Sequence, residues 1–503
     1  MSDRPNILFA LADDAGMHFG AYGCPWISTP AFDRVAGQGV LFTDAYTCNS
    51  KCAPSRAAII TGRNSWQLKD GANHQCFFPA EFRSFMEALG AHGYHTGHTA
   101  KGWAPGNPGV VDGKPRELTG PAYNERRYEP PTQWMNRTDY AANFEDFLDD
   151  NPEDQPFCFW YGCTEPHRQY EWRSGIDKNG RRTGEVDEVY EIWPDNEVVR
   201  TDLLDYAFEV ETFDRHLGRM LDTLEERGEL ANTLVVVSSD NGMPFPRCKG
   251  QEYYRSNHLP LAMMWADGIR NPGRSVSDMV SFIDFTPTFL EVAGVAEEDS
   301  GMSPITGRSL TDIFDSEAEG QVNPERDRVL IGKERHDLGR PGDVGYPIRG
   351  IFKCNYLYLR NLEPDRWPVG NPETGYMNCD GSPTKTEIIN LRREQGVSEY
   401  WRWCFGMRPE EELYDISADP DCLTNLADDP QHATMKAELR EQLDRELIEQ
   451  GDPRMTGGPN LDENPAYDPQ GGRLNFHERF LAGELEPAGW ITPTDIDPDA
   501  AAE

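Results

Sequence analysis

The chain has 503 residues and a net charge of −38, with 86 acidic side chains against 48 basic ones. That length buries a large core and fits two structural units, and the Gly, Pro and aromatic contents are those of a globular chain. Such acidity argues against a nucleic-acid partner, which calls for a basic surface, so an anionic substrate would have to be met by a local basic pocket. No apolar run approaches membrane-spanning length. The eleven cysteines are scattered without repeated CxxC pairs, so neither a zinc ribbon nor a disulfide framework is indicated. The start Met1-Ser2-Asp3-Arg4-Pro5 has no visible signal peptide. A cytoplasmic location is therefore expected, or a periplasmic or secreted one if an export signal has been removed.

In chain order, the apolar run Asn6 to Leu11 reads as a buried strand of parallel type, followed at once by Asp13 and Asp14. Two adjacent carboxylates serve one site only if the strand has ended and the backbone turns, as at the C-terminal edge of a parallel sheet. Alone, the pair reads better as a solvated turn. Residues 30–39 and 83–90 read as short helices, and residues 94–103 as a strand running into a glycine turn that carries Lys101. Residues 106–138, rich in Pro, Gly and charge, read as a long surface loop. A second strong strand, residues 156–161, ends in Thr164-Glu165-Pro166-His167-Arg168. Residues 201–228 carry the clearest helical stripe, with Thr201 as the expected N-cap and Gly228 past the end. Residues 233–239 form a third buried strand ending in Asp240-Asn241-Gly242, so the pattern of strand followed by hard oxygen ligands recurs. Residues 260–265 form another strand and residues 284–290 start a helix. Beyond residue 325 the strands alternate in the antiparallel manner, residues 432–450 form an amphipathic helix, and the segment after Asp452 reads as an extended arm. The expected fold is α/β: a large mixed, mostly parallel sheet between helices over residues 1–325, then a smaller α+β subdomain over residues 326–503.

The stretch Cys52-Ala53-Pro54-Ser55-Arg56 through Thr61-Gly62-Arg63 organises the rest. Pro54 suits a first helical turn and Gly62 a left-handed helix end. Neither accounts for a cysteine at the helix mouth with an arginine one turn later. A helix N-terminus favours an anion, and a guanidinium fork suits an oxyanion, so the pattern points to a nucleophile beside an anion pocket.

This stretch resembles the signature of the type I sulfatases, within the alkaline phosphatase superfamily, and the likeness runs from Asn6 to about Pro430. In that family the motif cysteine, here Cys52, is oxidised by a modifying enzyme to formylglycine. The resemblance implies that Asp13, Asp14, Asp240 and Asn241, with the modified Cys52, hold Ca²⁺, or Mg²⁺. All-oxygen donors suit either ion better than a thiol- or imidazole-loving metal. It further implies that Lys101 binds sulfate, that Lys249 lies on the leaving-group side and that His167 contacts the substrate; Lys101, Arg56 and Lys249 are expected to stabilise the sulfuryl oxygens, and His167 or Lys249 to assist the leaving group. Arg335 and His336 are candidate sugar contacts. The segments Asp240 to Pro246, Pro166-His167-Arg168 and Glu412 to Asp415 look most like the heparan N-sulfatase branch. The expected substrate is a sulfated saccharide or small molecule, with no oligomeric state implied. One departure is Trp103, which stands where many sulfatases carry a histidine; His98 is a candidate substitute. Two alternatives stay open: a phosphonate or phosphate ester hydrolase of the same superfamily, and a non-catalytic sulfated-glycan binding protein with an unmodified Cys52.

Overall fold

The computed structural model describes residues 4–152, 155–376, 378–468, 472–484 and 491–497. At its centre lies β1 (Asn6–Ala12), every residue of which is buried. Around it are β2 (Val40–Phe42), β3 (His95–Ala100), β4 (Phe157–Gly162), β5 (Thr233–Ser239), β6 (Leu261–Met264) and β7 (Arg274–Val276). They form a seven-stranded sheet in the order β7-β2-β6-β5-β1-β4-β3. Only β6 runs against its neighbours; β3, β4, β1 and β5 are mutually parallel.

Burial on both faces explains why β1, β4 and β5 carry apolar runs, whereas the half-exposed edge strand β3 is polar. Side chains alternate across the pleat. Leu8, Ala10 and Ala12 join Phe159, Tyr161, Val235 and Val237 on one face. There they pack against α1 (Pro30–Gly37), α4 (Tyr140–Asp150) and the 30-residue α5 (Glu197–Glu226). Ile7, Phe9 and Leu11 point the other way with Trp160, Leu234 and Val236. They meet α2 (Cys52–Thr61), α3 (Phe85–Ala91) and α6 (Phe285–Val292).

Parallel strands finish at the same edge, and the register makes this quantitative. Ala12 pairs with Ser239, Leu11 with Gly162, and Ala100 with Gly162. The residues after β1, β3, β4 and β5 therefore emerge together, although they are far apart in sequence.

Two helix starts differ from the sequence expectation. α5 begins at Glu197, not Thr201, because the Asn196 side chain accepts the N–H groups of Val198 and Val199, while the Thr201 hydroxyl donates back to Glu197 O at 2.7 Å. Val199 is buried, so the apolar stripe starts a turn earlier than the Leu203 position suggested. Asn196→Ala is expected to lower stability by about 1 kcal/mol, read as a lower thermal midpoint. α3 begins at Phe85 because Ser84 and Glu87 cap each other's backbone N–H groups.

A second sheet is antiparallel, β8 (Arg328–Lys333), β9 (Ile348–Lys353), β10 (Tyr356–Asn361) and β11 (Glu411–Asp415) in that order. Leu439, Leu443 and Leu447 of α8 (Ala433–Glu449) cover one face of it. Between β10 and β11 lies α7 (Pro383–Gln395), an element the sequence reading did not assign. The arm after Asp452 returns to the body. Asp452 accepts from Arg349 at 2.6 Å, Arg454 pairs with Glu334 at 2.8 Å, and the Tyr467 N–H donates to Gln75 O at 2.7 Å. Among the described residues, no helix is long and apolar enough to cross a membrane.

Candidate active site

α2 points its N-terminus at the shared strand edge. Lys51 is its extended N-cap residue, and Gly62, at φ +67°, closes it with an N–H bond to Ala58 O. A Cβ at Gly62 would press on Ile305 and Thr286, so glycine suits both the turn and the packing. Cys52 sits at the first helical position, its Sγ 3.6 Å from Asp13 Oδ1 and 3.9 Å from Asp14 Oδ1. Burial, reinforced by Asp13, Asp240 and Asp14 and opposed by Lys101, pushes its thiol well above the usual range.

The two acidic corners interlock. The Asp14 backbone, at φ +75°, donates its N–H to Asp240 Oδ1 at 3.0 Å, and the Asp240 N–H returns to Ala12 O at 3.1 Å. Asn241 Nδ2 donates to Asp14 Oδ1 at 2.7 Å, while Asn241 Oδ1 is buried without a hydrogen-bond partner. An orphaned acceptor beside three carboxylates fits a hard cation bound by oxygen donors. Asp13, Asp14 and Cys52 also offer ligand atoms within 4.8 Å of one another. Burial raises the Asp13 carboxyl; Lys101 opposes this, and Asp240 and Asp14 add to it. A cation at this point would relieve that crowding.

Three cations already answer the acids. Lys101 Nζ lies 2.6 Å from both oxygens of Asp13, and Lys249 Nζ reaches Asp14 at 2.6 Å and Asp380 at 2.8 Å. Arg56 is completely buried. Its Nε donates to Asp240 Oδ2 at 2.8 Å, its Nη1 to the carbonyls of Lys101 and Gly102 at 2.8 and 2.9 Å, and its Nη2 to Asp13 at 3.4 Å. Burial alone would raise the Asp240 carboxyl; Arg56 and Lys101 outweigh that and hold it well below the usual carboxylate range. This corrects the expectation that Arg56 touches sulfate, since its donors are spent on the acidic corner and on the turn after β3.

His167 follows β4. Its Nδ1 bonds the Arg168 carbonyl at 2.5 Å, leaving Nε2 facing Asp14 Oδ2 at 3.9 Å. A cavity of about 520 Å³ opens over this group, lined among others by Cys52, Lys101, His167 and Lys249.

Arg335 and His336 do not reach this cavity. The Arg335 guanidinium turns to the Asn464 carbonyl under the arm, and His336 is held between Asn49 Oδ1 at 2.8 Å and Gly250 O at 3.2 Å. Their neighbour Asp337 lines the cavity instead, paired with Lys51 at 2.8 Å and His74 at 2.9 Å. His98 does not line it either, its Nδ1 bonding Gly120 O at 2.9 Å. Trp103 packs on Phe78 and donates to Ala53 O at 3.1 Å, bracing the first turn of α2. The sequence reading missed Asp380. Its carboxyl, which burial would raise, is held well below the usual range by Lys249, Lys51 and His167. The only local signal was the Asp380-Gly381-Ser382-Pro383 helix start, with Ser382 capping α7.

Comparison with known proteins gives the family of the chain. A sequence model of the family described as Sulfatase matches residues 5–295. An ulvan-active sulfatase of Formosa agariphila is 26% identical over 491 residues, covering 90% of this chain and 76% of its own. The human N-sulphoglucosamine sulphohydrolase is 29% identical over 483 residues, covering 90% and 91%. Among solved structures, a protein in complex with its substrate D-glucosamine-2-N,6-O-disulfate superposes with a TM-score of 0.65 at 19% identity, over 92% of this chain and 100% of that one. The phosphonate monoester hydrolase of Agrobacterium radiobacter gives 0.60 at 18%, over 89% and 96%. The α/β architecture is thus shared with structures of this group, and the chain belongs to the sulfatase family, hydrolases acting on sulfate esters or N-sulfate groups.

Proposed function

We propose that this sulfatase removes sulfate, as an O-sulfate or N-sulfate, from a sulfated saccharide, with N-sulfated glucosamine the first candidate, and that it does so through formylglycine made from Cys52 by a modifying enzyme. One observation carries the reading: Cys52 lies at the mouth of a helix, against Asp13 and Asp14, on the wall of a cavity that also exposes Lys101, Lys249 and His167. The human N-sulphoglucosamine sulphohydrolase, similar over nearly the whole of both chains, supports the substrate class.

In its hydrated form an oxidised residue 52 would supply one hydroxyl to attack sulfur as the saccharide oxygen or nitrogen departs, and a second whose deprotonation would expel sulfate and restore the aldehyde, which a thiol cannot do. Asp13, Asp14, Asp240 and Asn241 would hold Ca²⁺, or Mg²⁺, which would polarise the nucleophile and the sulfuryl oxygens. Charge supports this. Asp13, Asp14, Asp240 and Asp380 outnumber Arg56, Lys101 and Lys249 by one. A divalent cation together with one sulfate monoanion brings the set to neutrality.

Lys101 and Lys249, both of which line the cavity, stabilise charge on the sulfuryl oxygens as it develops. Arg56 acts one layer behind, fixing Asp13 and Asp240. The bond from His167 Nδ1 to the Arg168 carbonyl orients the ring, so that Nε2 is the atom that passes a proton to the departing oxygen or nitrogen.

Kinetics on an aryl sulfate, glucosamine N-sulfate and an aryl phosphonate monoester test this reading. The sulfated substrates are expected to have the higher kcat/KM, and a preference for the phosphonate would replace it with a phosphonate ester hydrolase. Ca²⁺ is expected to raise the melting temperature of the chelator-treated protein. A hundredfold excess over Kd corresponds to about 2.7 kcal/mol. Asp14→Asn and Asn241→Ala should blunt that rise, and an equal rise in both variants would place the ion elsewhere.

A further inference from the structure

The cavity has a wall that the chemistry at sulfur does not use. On it, Asp337 is bonded by Lys51 and by His74, so these three groups satisfy one another. Gln75, next in the chain, is different. It is 6% exposed and lines the same cavity as Cys52. Its side-chain Oε1 is buried with no hydrogen-bond partner. A buried amide oxygen left unpaired costs free energy unless a bound group donates to it.

The Gln75 backbone is unusual as well, at φ +52°, in the region that L-residues with long side chains rarely adopt. Its neighbours hold it there. The His74 N–H donates to Arg335 O at 3.0 Å, Cys76 pairs with Gly106 in a short parallel ladder, and the Gln75 carbonyl accepts the Tyr467 N–H at 2.7 Å. Tyr467 also lines the cavity, its ring edge-to-face with Phe77 at 5.3 Å. A strained conformation that three separate segments enforce, at a cavity-lining residue whose amide oxygen is buried and unsatisfied, marks a recognition position rather than a packing one.

We propose that Gln75 is a specificity-determining residue whose amide, turning from its buried position toward the cavity when the saccharide bearing the sulfate binds, accepts a hydrogen bond from a ring hydroxyl or amine, with Tyr467 of the C-terminal arm lining the same subsite; this rests on the sulfatase reading above. A hydroxyl-bearing ring satisfies the amide, and an aryl leaving group does not. Sites built to pair a buried polar group discriminate strongly against analogues that lack the partner.

The test compares kcat/KM on glucosamine N-sulfate with kcat/KM on 4-nitrophenyl sulfate. It uses the wild type, Gln75→Gly, which removes the amide while suiting the left-handed backbone, and Gln75→Glu, which keeps an acceptor. The ratio of saccharide to aryl activity is expected to fall at least tenfold in Gln75→Gly, chiefly through KM for the saccharide, and to recover in part in Gln75→Glu. Melting temperature of Gln75→Gly should equal or exceed that of the wild type. An unchanged ratio, whether both activities persist or both fall together, overturns the subsite while leaving the sulfatase reading standing. A wild type that cleaves neither sulfate overturns that reading and the subsite with it.

Discussion

Cys52→Ala is expected to lower sulfate release by on the order of 10⁴-fold or more, the scale seen when a covalent nucleophile is removed from an otherwise intact site. The fold should survive. The strand edge is tied by bonds that do not involve the thiol: Asp14 N–H to Asp240, Asp240 N–H to Ala12 O, and the Ser55 hydroxyl to Asp240 O at 2.5 Å. Losing one buried sulfur should cost about 1 kcal/mol, so the melting temperature shifts by only a few degrees. Cys52→Ser sharpens the test. A serine hydroxyl can attack sulfur once but has no second hydroxyl with which to expel the sulfate, so one turnover at most should leave a sulfated protein. Sustained turnover by the alanine variant would contradict the mechanism and leave the chain with a different nucleophile.

The second large effect concerns Arg56. A residue that contacts sulfate should be costly to activity and nearly neutral to stability. The observed geometry predicts otherwise. Arg56 is fully buried between Asp240, Asp13 and the carbonyls of Lys101 and Gly102. Arg56→Ala should therefore destabilise the protein by about 3–5 kcal/mol, because it leaves buried carboxylates without their partner. It should also abolish activity by loosening Asp13 and Asp240. Arg56→Lys should restore little, since an ammonium cannot reproduce a planar fork that serves a carboxylate and two carbonyls at once. Denaturant midpoints with a constant slope give the stability change directly. A variant as stable as wild type but inactive would mean that Arg56 acts on the substrate and not on the acidic corner.

Much of the site was legible before any coordinates, and the reason is topological. β1 and β5 are doubly buried, so their sequences carry the apolar runs Ile7 to Ala12 and Leu234 to Val237. Their ends are marked by Asp13-Asp14 and Asp240-Asn241, and parallel register brings those ends side by side. The Cys52 motif, read as a helix mouth, supplies the third corner. What the sequence hid depends on loops. Asp380 sits just before α7, with no strand end to announce it. In the segment after β8, the direction of each side chain is set by the turn, so Asp337 reaches the cavity while Arg335 and His336 turn away. Gln75 gives no signal at all in sequence, since its importance lies in a backbone conformation that the arm and its neighbours impose. The chemistry of Arg56 was readable, but not its direction.

The central claim is that residue 52, set between two strand-end acidic corners, is the converted nucleophile of a sulfate hydrolase. Peptide mass spectrometry of the segment containing residue 52, on protein made in a host with the modifying enzyme and assayed for sulfate release in the same preparation, tests it most directly. The account predicts that activity rises in proportion to the fraction of peptide carrying the aldehyde. Full sulfate release from protein whose residue 52 is entirely unmodified cysteine would contradict it.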